Sequence, residues 1–108
     1  MKAAVSRIGI ALSALDGRPY ADLLNSATLA EECGYELVLV PEAWGRDATV
    51  VLGALAARTT RIGIGTGIVN VYSRSPALIA MAAATLDEIS GGRAVLGLGV
   101  SGRAVVEG

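Results

Sequence analysis

Residues 94–102 read Ala-Val-Leu-Gly-Leu-Gly-Val-Ser-Gly, a short apolar run that ends in glycines at positions 97, 99 and 102. The glycines fit G-x-G-x-x-G, the spacing of a turn that binds a dinucleotide in a Rossmann βαβ unit. Such a turn follows the first strand of its unit, opens a helix and precedes an acidic residue about 20 positions later. Here the motif follows the last apolar run, and six residues come after it. The segment therefore favours a strand whose glycine-lined end lets another group approach the backbone closely.

Upstream of this segment, three more apolar runs alternate with three stretches of helical spacing. Pro19, Asp47 and Ser75 stand where helices would begin, and Gly34 and Gly91 stand where two of them would end in a left-handed cap. The runs are apolar on both faces, which is typical of parallel strands covered by helices. The order is β-α-β-α-β-α-β, and the apolar runs cover residues 5–12, 37–40, 62–71 and 94–100.

Two α/β folds fit this alternation. A (β/α)8 barrel needs eight strands and about 250 residues, whereas a doubly wound sheet closes with four or five strands. Spacing alone therefore favours the doubly wound sheet, and a small nucleotide-binding domain of that kind is one alternative. The third run adds glycine at every second position, at 63, 65 and 67. One face of that strand then has no side chains, which suits close packing in a barrel core or the approach of a flat ligand.

Composition excludes several classes of function. The 108 residues suffice for one domain, and the net charge of −1 without a basic block argues against binding to nucleic acid or to an anionic membrane. No apolar run approaches the roughly 20 residues of a membrane span. The single cysteine, Cys33, excludes an internal disulfide and fits a cytoplasmic location. The absence of histidine excludes Ser-His, Cys-His and His-metal chemistry from these residues, so no metal site is expected.

Four stretches together resemble a known family. They are RIGIALSAL at 7–15, VPEAWGRD at 40–47, LAARTTRIGIGTGIVNVYSRSPALIAM at 55–81 and TLDEISGGRAVLGLGVSG at 85–102. They are similar to the bacterial luciferase-like superfamily, and within it to the coenzyme F420-dependent oxidoreductases related to methylenetetrahydromethanopterin reductase. The resemblance implies a TIM barrel and overrides the preference from spacing. Residues 1–108 are then the N-terminal half of one barrel domain, with about four parallel strands, three helices and no second domain.

The resemblance also implies a cofactor site at the carboxyl ends of the strands. A non-proline cis peptide at Gly67-Ile68 would back a deazaflavin ring, or alternatively the ring of FMN. The implied cofactor-binding residues are Gly67, Ile68, Val69, Asn70, Ser101 and Gly102. Glu42 is the implied catalytic residue, because a carboxylate at this rim can orient a substrate or transfer a proton. Ser13, Trp44 and Ser73 are the implied lining of the substrate pocket.

Each of these residues also has a structural interpretation. Asn70 and Ser73 suit turn chemistry, Trp44 can pack on a helix, and Glu42 can be a solvated loop residue. Arg74 is either solvated or near an anionic part of a ligand. Asp87 and Glu88 are expected on a solvated helix face, with a tie to Arg93.

The resemblance implies an oxidoreductase that transfers hydride between a reduced cofactor and a small organic substrate, and a homo-oligomer in the full-length protein. An FMN-dependent luciferase-like monooxygenase is one alternative, because FMN also activates oxygen. A non-catalytic half-barrel is another, since strands seven and eight, which commonly grip phosphate in such barrels, lie beyond these four.

Overall fold

The computed structural model describes residues 7–12, 17–42, 45–100 and 102. Three helices alternate with short strands along this part of the chain. The helices are α1 (Tyr20–Glu32), α2 (Ala48–Arg58) and α3 (Pro76–Ser90). The strands are β1 (Gly9–Ala11), β2 (Leu37–Val40), β3 (Gly63–Thr66), β4 (Val69–Asn70), β5 (Ala94–Val95) and β6 (Leu98–Gly99).

The predicted helix starts at Asp47 and Ser75 and the predicted helix end at Gly91 are confirmed. Pro19 was expected at the first helical position, but it is the N-cap, and α1 begins at Tyr20. The Asp47 carboxylate accepts hydrogen bonds from the amides of Thr49 and Val50 at the start of α2. The Ser75 hydroxyl accepts from the amide of Leu78 at the start of α3, where Pro76 is the first helical residue. Helix α3 ends at a left-handed Gly91, with a φ of 70°. Capping side chains and glycine thus fix the helix boundaries locally, before any tertiary contact.

The strand order distinguishes the two candidate folds. Strands β1, β2, β3 and β5 form one parallel sheet in that order, and β4 pairs with β6 in a parallel two-stranded sheet. Each strand of the larger sheet therefore lies beside the next one along the chain. A doubly wound sheet instead reverses direction at a switch point. The spacing-based preference for a doubly wound sheet is wrong, and the sequential order is that of a barrel segment.

All three helices pack on one face of the sheet. Val38, Val40 and Ile64 alternate along β2 and β3 with residues of the other face, and they are buried against the helices. Contacts run from α1 to α2 and from α2 to α3, so the helices form one layer. The helices contribute mainly leucine and alanine to this core, namely Leu23, Leu24, Ala27, Ala30, Ala48, Leu52, Leu55, Ala56 and Leu86.

The opposite face of the sheet interlocks glycine with leucine. In the register, Leu37 lies between Gly9 and Gly63, and Leu39 lies beside Gly65. A Cβ atom at Gly65 would lie 2.6 Å from the Val95 carbonyl oxygen and 3.2 Å from Leu39 Cδ2. The alternating glycines are therefore explained by close packing within the sheet, which was one of the two interpretations of that pattern.

Two charged side chains, Glu31 and Arg93, form hydrogen bonds near the amino ends of the strands. Glu31, buried at the end of α1, accepts hydrogen bonds from the amides of Thr60, Arg61 and Ile62 at distances of 2.6–2.9 Å. Burial acts to raise the pKa of the Glu31 carboxyl, but these hydrogen bonds and the nearby Arg61 charge hold it below its usual value.

Arg93 joins the carboxyl ends of α2 and α3. Its guanidinium donates to the carbonyl oxygens of Ser90, Ala56, Thr59 and Ile62, and to the Thr59 hydroxyl. The expected tie between Arg93 and the carboxylates before it is wrong. Arg93 binds carbonyl groups instead, because its rigid guanidinium fork matches the carbonyl groups that the ends of two helices leave free. Asp87 accepts a hydrogen bond from the Ala94 amide.

The outer surface differs between the helices. Val50, Leu78, Met81 and Ile89 on α2 and α3 are 45–70% exposed and line a shallow groove. We call these four side chains the α2–α3 face. None of the helices described here is both long enough and apolar enough to span a membrane.

Candidate functional site

The candidate site lies at the carboxyl ends of the parallel strands. Glu42 follows β2, Gly67 and Ile68 follow β3, and Val69 and Asn70 form β4. Gly102 follows β6, is exposed, and has open space where a Cβ atom would stand. Three predicted site residues, Ser13, Trp44 and Ser101, lie outside the described residues.

The sheet breaks and resumes at this rim. The third apolar run is split into β3 and β4, and the fourth is split into β5 and β6. The Gly67–Ile68 peptide between β3 and β4 is cis, as the resemblance implies. The Thr66 side chain bonds to Gly97, which lies between β5 and β6. Its hydroxyl accepts from the Gly97 amide and donates to the Gly97 carbonyl, both at 2.8 Å. The Val69 amide then donates to the same carbonyl at 3.0 Å and begins the second ladder.

Two glycines of the G-x-G-x-x-G segment, Gly97 and Gly99, let their strand pack closely against Thr66 and Ile68. A Cβ atom at Gly97 would overlap the Thr66 carbonyl oxygen, and one at Gly99 would overlap the Ile68 side chain. Leu98 and Gly99 form strand β6, not a turn. The interpretation of a glycine-lined strand end is therefore confirmed, and the groups that approach it are Thr66 and Ile68.

Asn70 organises the turn that leads from β4 into α3. Its Oδ1 accepts a hydrogen bond from the Tyr72 amide at 2.7 Å, and its carbonyl accepts from the Ser73 hydroxyl at 3.0 Å. Asn70 is 5% exposed. Among the described residues, the Asn70 side chain makes one hydrogen bond, and it does so through Oδ1. The predicted turn chemistry is present at both residues, and their predicted contact with a ligand stays a prediction.

Arg74 joins the two loops of the rim. Its guanidinium pairs with both Glu42 carboxylate oxygens, with Oε2 at 2.6 Å, and with Asp47 Oδ1 at 2.7 Å. The side chains of Arg74 and Glu42 are only 9% and 8% exposed. Glu42 Oε2 also accepts from the Ala48 amide at 2.8 Å. The solvated interpretations of Glu42 and Arg74 are wrong, because both side chains are buried in this ion pair.

The charges in this cluster stabilise one another. The hydrogen bond to Glu42 raises the pKa of the Arg74 guanidinium, against the opposing effect of burial. Burial acts to raise the pKa of Asp47, but hydrogen bonds from Thr49 and Val50 and the charge of Arg74 lower it below its usual value. Both Glu42 oxygens are already engaged, so proton transfer by Glu42 would require this pair to open. Its role as the catalytic residue stays a prediction.

The structure thus brings Glu42 and residues 67–70 to one rim. It adds one residue, Thr66, and one contact, between Arg74 and Glu42, that the sequence interpretation missed. Thr66 was not singled out, and Arg74 was not assigned to Glu42. Thirty-two positions separate Arg74 from Glu42, so no local pattern signals their contact. Among the described residues, no group of three or more acidic or cysteine side chains is placed to hold a metal ion.

Known proteins match this chain over nearly its whole length. The sequence profile of the family described as luciferase-like monooxygenase matches residues 4–108. A Mycobacterium tuberculosis protein named as a coenzyme F420-dependent oxidoreductase is 41% identical over 102 residues, which cover 94% of this chain and 29% of that protein.

Solved structures match as well. Coenzyme F420-dependent tetrahydromethanopterin reductase from Methanopyrus kandleri superposes with a TM-score of 0.87 at 33% identity, covering 96% of this chain and 30% of that one. The oxygenating constituent of 3,6-diketocamphane monooxygenase from Pseudomonas putida, in complex with FMN, superposes with a TM-score of 0.81 and covers 90% of this chain and 30% of that one. At 20% identity, the latter is a likeness of fold alone. The chain spans less than a third of the length of each of these proteins, and its fold matches the N-terminal portion of their barrel.

Proposed function

This chain belongs to the luciferase-like monooxygenase family, and we propose that the protein is an oxidoreductase that binds coenzyme F420 and transfers hydride to or from a small organic substrate. The observation that carries the proposal is the 41% identity over nearly the whole chain to a protein named for its dependence on coenzyme F420. FMN is the alternative cofactor, which the resemblance to the luciferase-like family implies.

The rim residues suit a flat ring with polar edges. Ile68 is a half-buried aliphatic side chain beside the exposed Gly67, and Asn70 offers amide donors two positions further on. An apolar wall with a few fixed polar groups is the usual composition of a small-molecule site. We propose that residues 67–70 form the wall behind the ring and that Gly102 and Ser101 meet its edge. In this arrangement Ser13, Trp44 and Ser73 contact the substrate.

The protein and the cofactor divide the chemistry. Bound coenzyme F420 supplies hydride exchange, whereas FMN also supports the activation of oxygen. The residues of this chain hold and orient the ring, present one of its faces and exclude water from the rim. Loops beyond the length matched here supply the remaining contacts in such barrels.

Titration with both cofactors tests the proposal. Protein expressed from the complete open reading frame is titrated with coenzyme F420 and with FMN, and binding is followed by cofactor fluorescence. We expect saturable binding of coenzyme F420 and weaker binding of FMN. Tighter binding of FMN would move the assignment to the monooxygenase alternative. Binding of neither cofactor would contradict the proposal and favour the non-catalytic alternative. A matched Asn70→Asp variant removes the amide donors while keeping the size of the side chain, and it should weaken binding.

We also propose that the protein is a homo-oligomer whose copies meet through the α2–α3 face. The groove at this face is lined by aliphatic, glycine, alanine and threonine side chains, with no charged residue among them. In a twofold assembly the same patch meets itself, so an uncharged patch brings no like charges together. The outer side of α1 differs, because it exposes Asn25 and Glu32 together with the apolar Leu29.

Light scattering tests the oligomer directly. A Met81→Glu variant should lower the mass in solution, whereas Leu29→Glu, which places the same charge on the exposed side of α1, should leave it unchanged. A wild-type protein that is monomeric, or a Met81→Glu variant that keeps the wild-type mass, contradicts this interface.

A further inference from the structure

The ion pairs of Arg74 with Glu42 and Asp47 connect two loops of the rim. Glu42 and Asp47 flank the loop from β2 to α2, and Arg74 ends the turn from β4 to α3. Among the described residues, no backbone hydrogen bond joins these two loops. The guanidinium of Arg74 is a polar connection between them.

Both ends of this connection are themselves fixed. Glu42 and Asp47 accept hydrogen bonds from the first amides of α2, so the carboxylates are anchored to a rigid helix. Arg74 directly precedes Ser75, which caps α3. The planar guanidinium contacts two carboxylates at once, which fixes direction as well as distance. A displacement of either loop would break these contacts, so the pair sets their relative position.

The two loops carry the residues proposed to contact ligands. Asn70 and Ser73 belong to the turn that Arg74 ends, and Trp44 lies between Glu42 and Asp47 in sequence. We propose that Arg74 is a positioning residue for the ligand site: it holds the Asn70–Ser73 turn against Glu42 and Asp47, near the two ends of the loop from β2 to α2. Glu42 then acts through Arg74, with both of its oxygens engaged. This inference rests on the proposed function for the identity of the ligand, and on the structure alone for the position of the loops.

A direct role for Arg74 in binding an anion is less favourable. Its charge is already balanced by two carboxylates, and its side chain is 9% exposed. An anionic ligand would have to displace either the half-exposed Asp47 or Glu42, whose side chain is 8% exposed, and a buried carboxylate that loses its partner is costly.

Cofactor binding tests the inference with a matched control. Arg74→Met removes the guanidinium and keeps much of the length of the side chain, and Arg74→Lys keeps the charge without the planar fork. Arg93→Met is the control, because Arg93 is also partly buried and makes five hydrogen bonds, but it lies at the opposite ends of the strands. All variants are made in the complete reading frame, and dissociation constants for coenzyme F420 are measured well below every melting temperature.

We expect Arg74→Met to weaken binding by about ten- to a hundredfold, which is the scale of a misplacement of about 1 Å in a binding site. Arg74→Lys should lie between this variant and the wild type, and Arg93→Met should stay within about twofold of the wild type. An unchanged dissociation constant in Arg74→Met overturns the inference. An equal loss in Arg93→Met also overturns it, because a general loss of stability would then explain both. If Arg74→Met does not fold, Arg74→Lys decides by the same criteria.

A second measurement needs no ligand. Trp44 is the only tryptophan of the 108 residues, and subtracting the spectrum of a Trp44→Phe variant isolates its emission. We expect Arg74→Met to shift this emission and to increase its quenching by acrylamide, with no change in Arg93→Met. Unchanged Trp44 emission in Arg74→Met contradicts the positioning role even if the cofactor binds. If the wild type binds no cofactor, the proposed function fails, and the Trp44 emission decides the positioning role by itself.

Discussion

Replacing Glu31 should show how much one buried carboxylate, hydrogen-bonded to three backbone amides, contributes to the free energy of unfolding. Two of the amides belong to Thr60 and Arg61, which are exposed, so water can replace the carboxylate there at a net cost of about 0.5–1.5 kcal/mol each. The third belongs to Ile62, which is 1% exposed, and a buried amide without a partner costs about 1–3 kcal/mol. Glu31→Ala should therefore destabilise the protein by about 2–6 kcal/mol, a large part of the stability of a small domain.

Glu31→Gln separates the charge from the hydrogen bonds. The glutamine keeps an acceptor oxygen near the three amides but loses the negative charge, and charge-assisted bonds are about twice as strong as neutral ones. We therefore expect a loss of about 1–2 kcal/mol. Urea unfolding measures all variants, with Glu32→Ala as the control, because Glu32 is the exposed neighbour on the same helix.

Acid should abolish the difference between the wild type and Glu31→Gln. The pKa of Glu31 is lower in the folded protein than its ordinary value near 4.5. The contribution of the charge is therefore complete above about pH 4.5 and is lost as the pH falls through the folded pKa. If Glu31→Ala and Glu31→Gln are equally stable, or if both match Glu32→Ala within about 0.5 kcal/mol, the reasoning is refuted.

Three further experiments test other parts of the structure. A double-mutant cycle of Glu42→Gln with Arg74→Met should give a coupling energy of about 2–3 kcal/mol by urea unfolding, because both side chains are buried. The same cycle on the exposed i,i+4 pair of Arg18 and Asp22 should give at most about 0.5 kcal/mol, and similar values for both pairs would contradict this account. Gly97→Ala should destabilise the protein by about 2 kcal/mol or more in thermal melts, because the added methyl group overlaps the Thr66 carbonyl. Gly53→Ala, placed in α2 with open space around it, should be neutral or stabilising, and an equal loss at both positions would exclude a specific clash. Thr66→Val removes the hydroxyl that bonds twice to Gly97 between the two ladders. It should lower the free energy of unfolding by about 1–3 kcal/mol and speed hydrogen exchange at the Gly97 amide.

Much of the fold follows from local signals in the sequence. Asp47, Ser75 and Gly91 mark helix boundaries by satisfying backbone groups within a few residues, and those predictions are confirmed. The barrel itself did not follow from spacing, because a doubly wound sheet and a barrel share the same βα repeat and differ only in strand order. The resemblance to a family decided that question, and the sequential order of the strands agrees with it.

The parts that sequence reasoning missed involve partners distant in the chain. An apolar run does not show where a ladder is interrupted, so the split between Thr66 and Val69 was not visible in 62–71. The sequence predicts that Arg93 pairs with Asp87 and Glu88. Arg93 instead bonds to carbonyl groups, which every residue has and which no sequence pattern marks. Glu42 and Arg74 meet because two parallel strands end at the same edge. The candidate site could thus be located at that edge, but its internal contacts could not.

The sequential strand order has a consequence for how the chain acquires its structure. When β2 is synthesised, the strand it pairs with, β1, already exists, and the same holds for β3 and β2. One helix connects each pair of strands. In a doubly wound sheet, by contrast, a central strand must wait for neighbours that are made much later. Contacts that link only successive units keep loop closure short, which favours rapid folding. As the polypeptide leaves the ribosome, each new βα unit can therefore dock on the one before it.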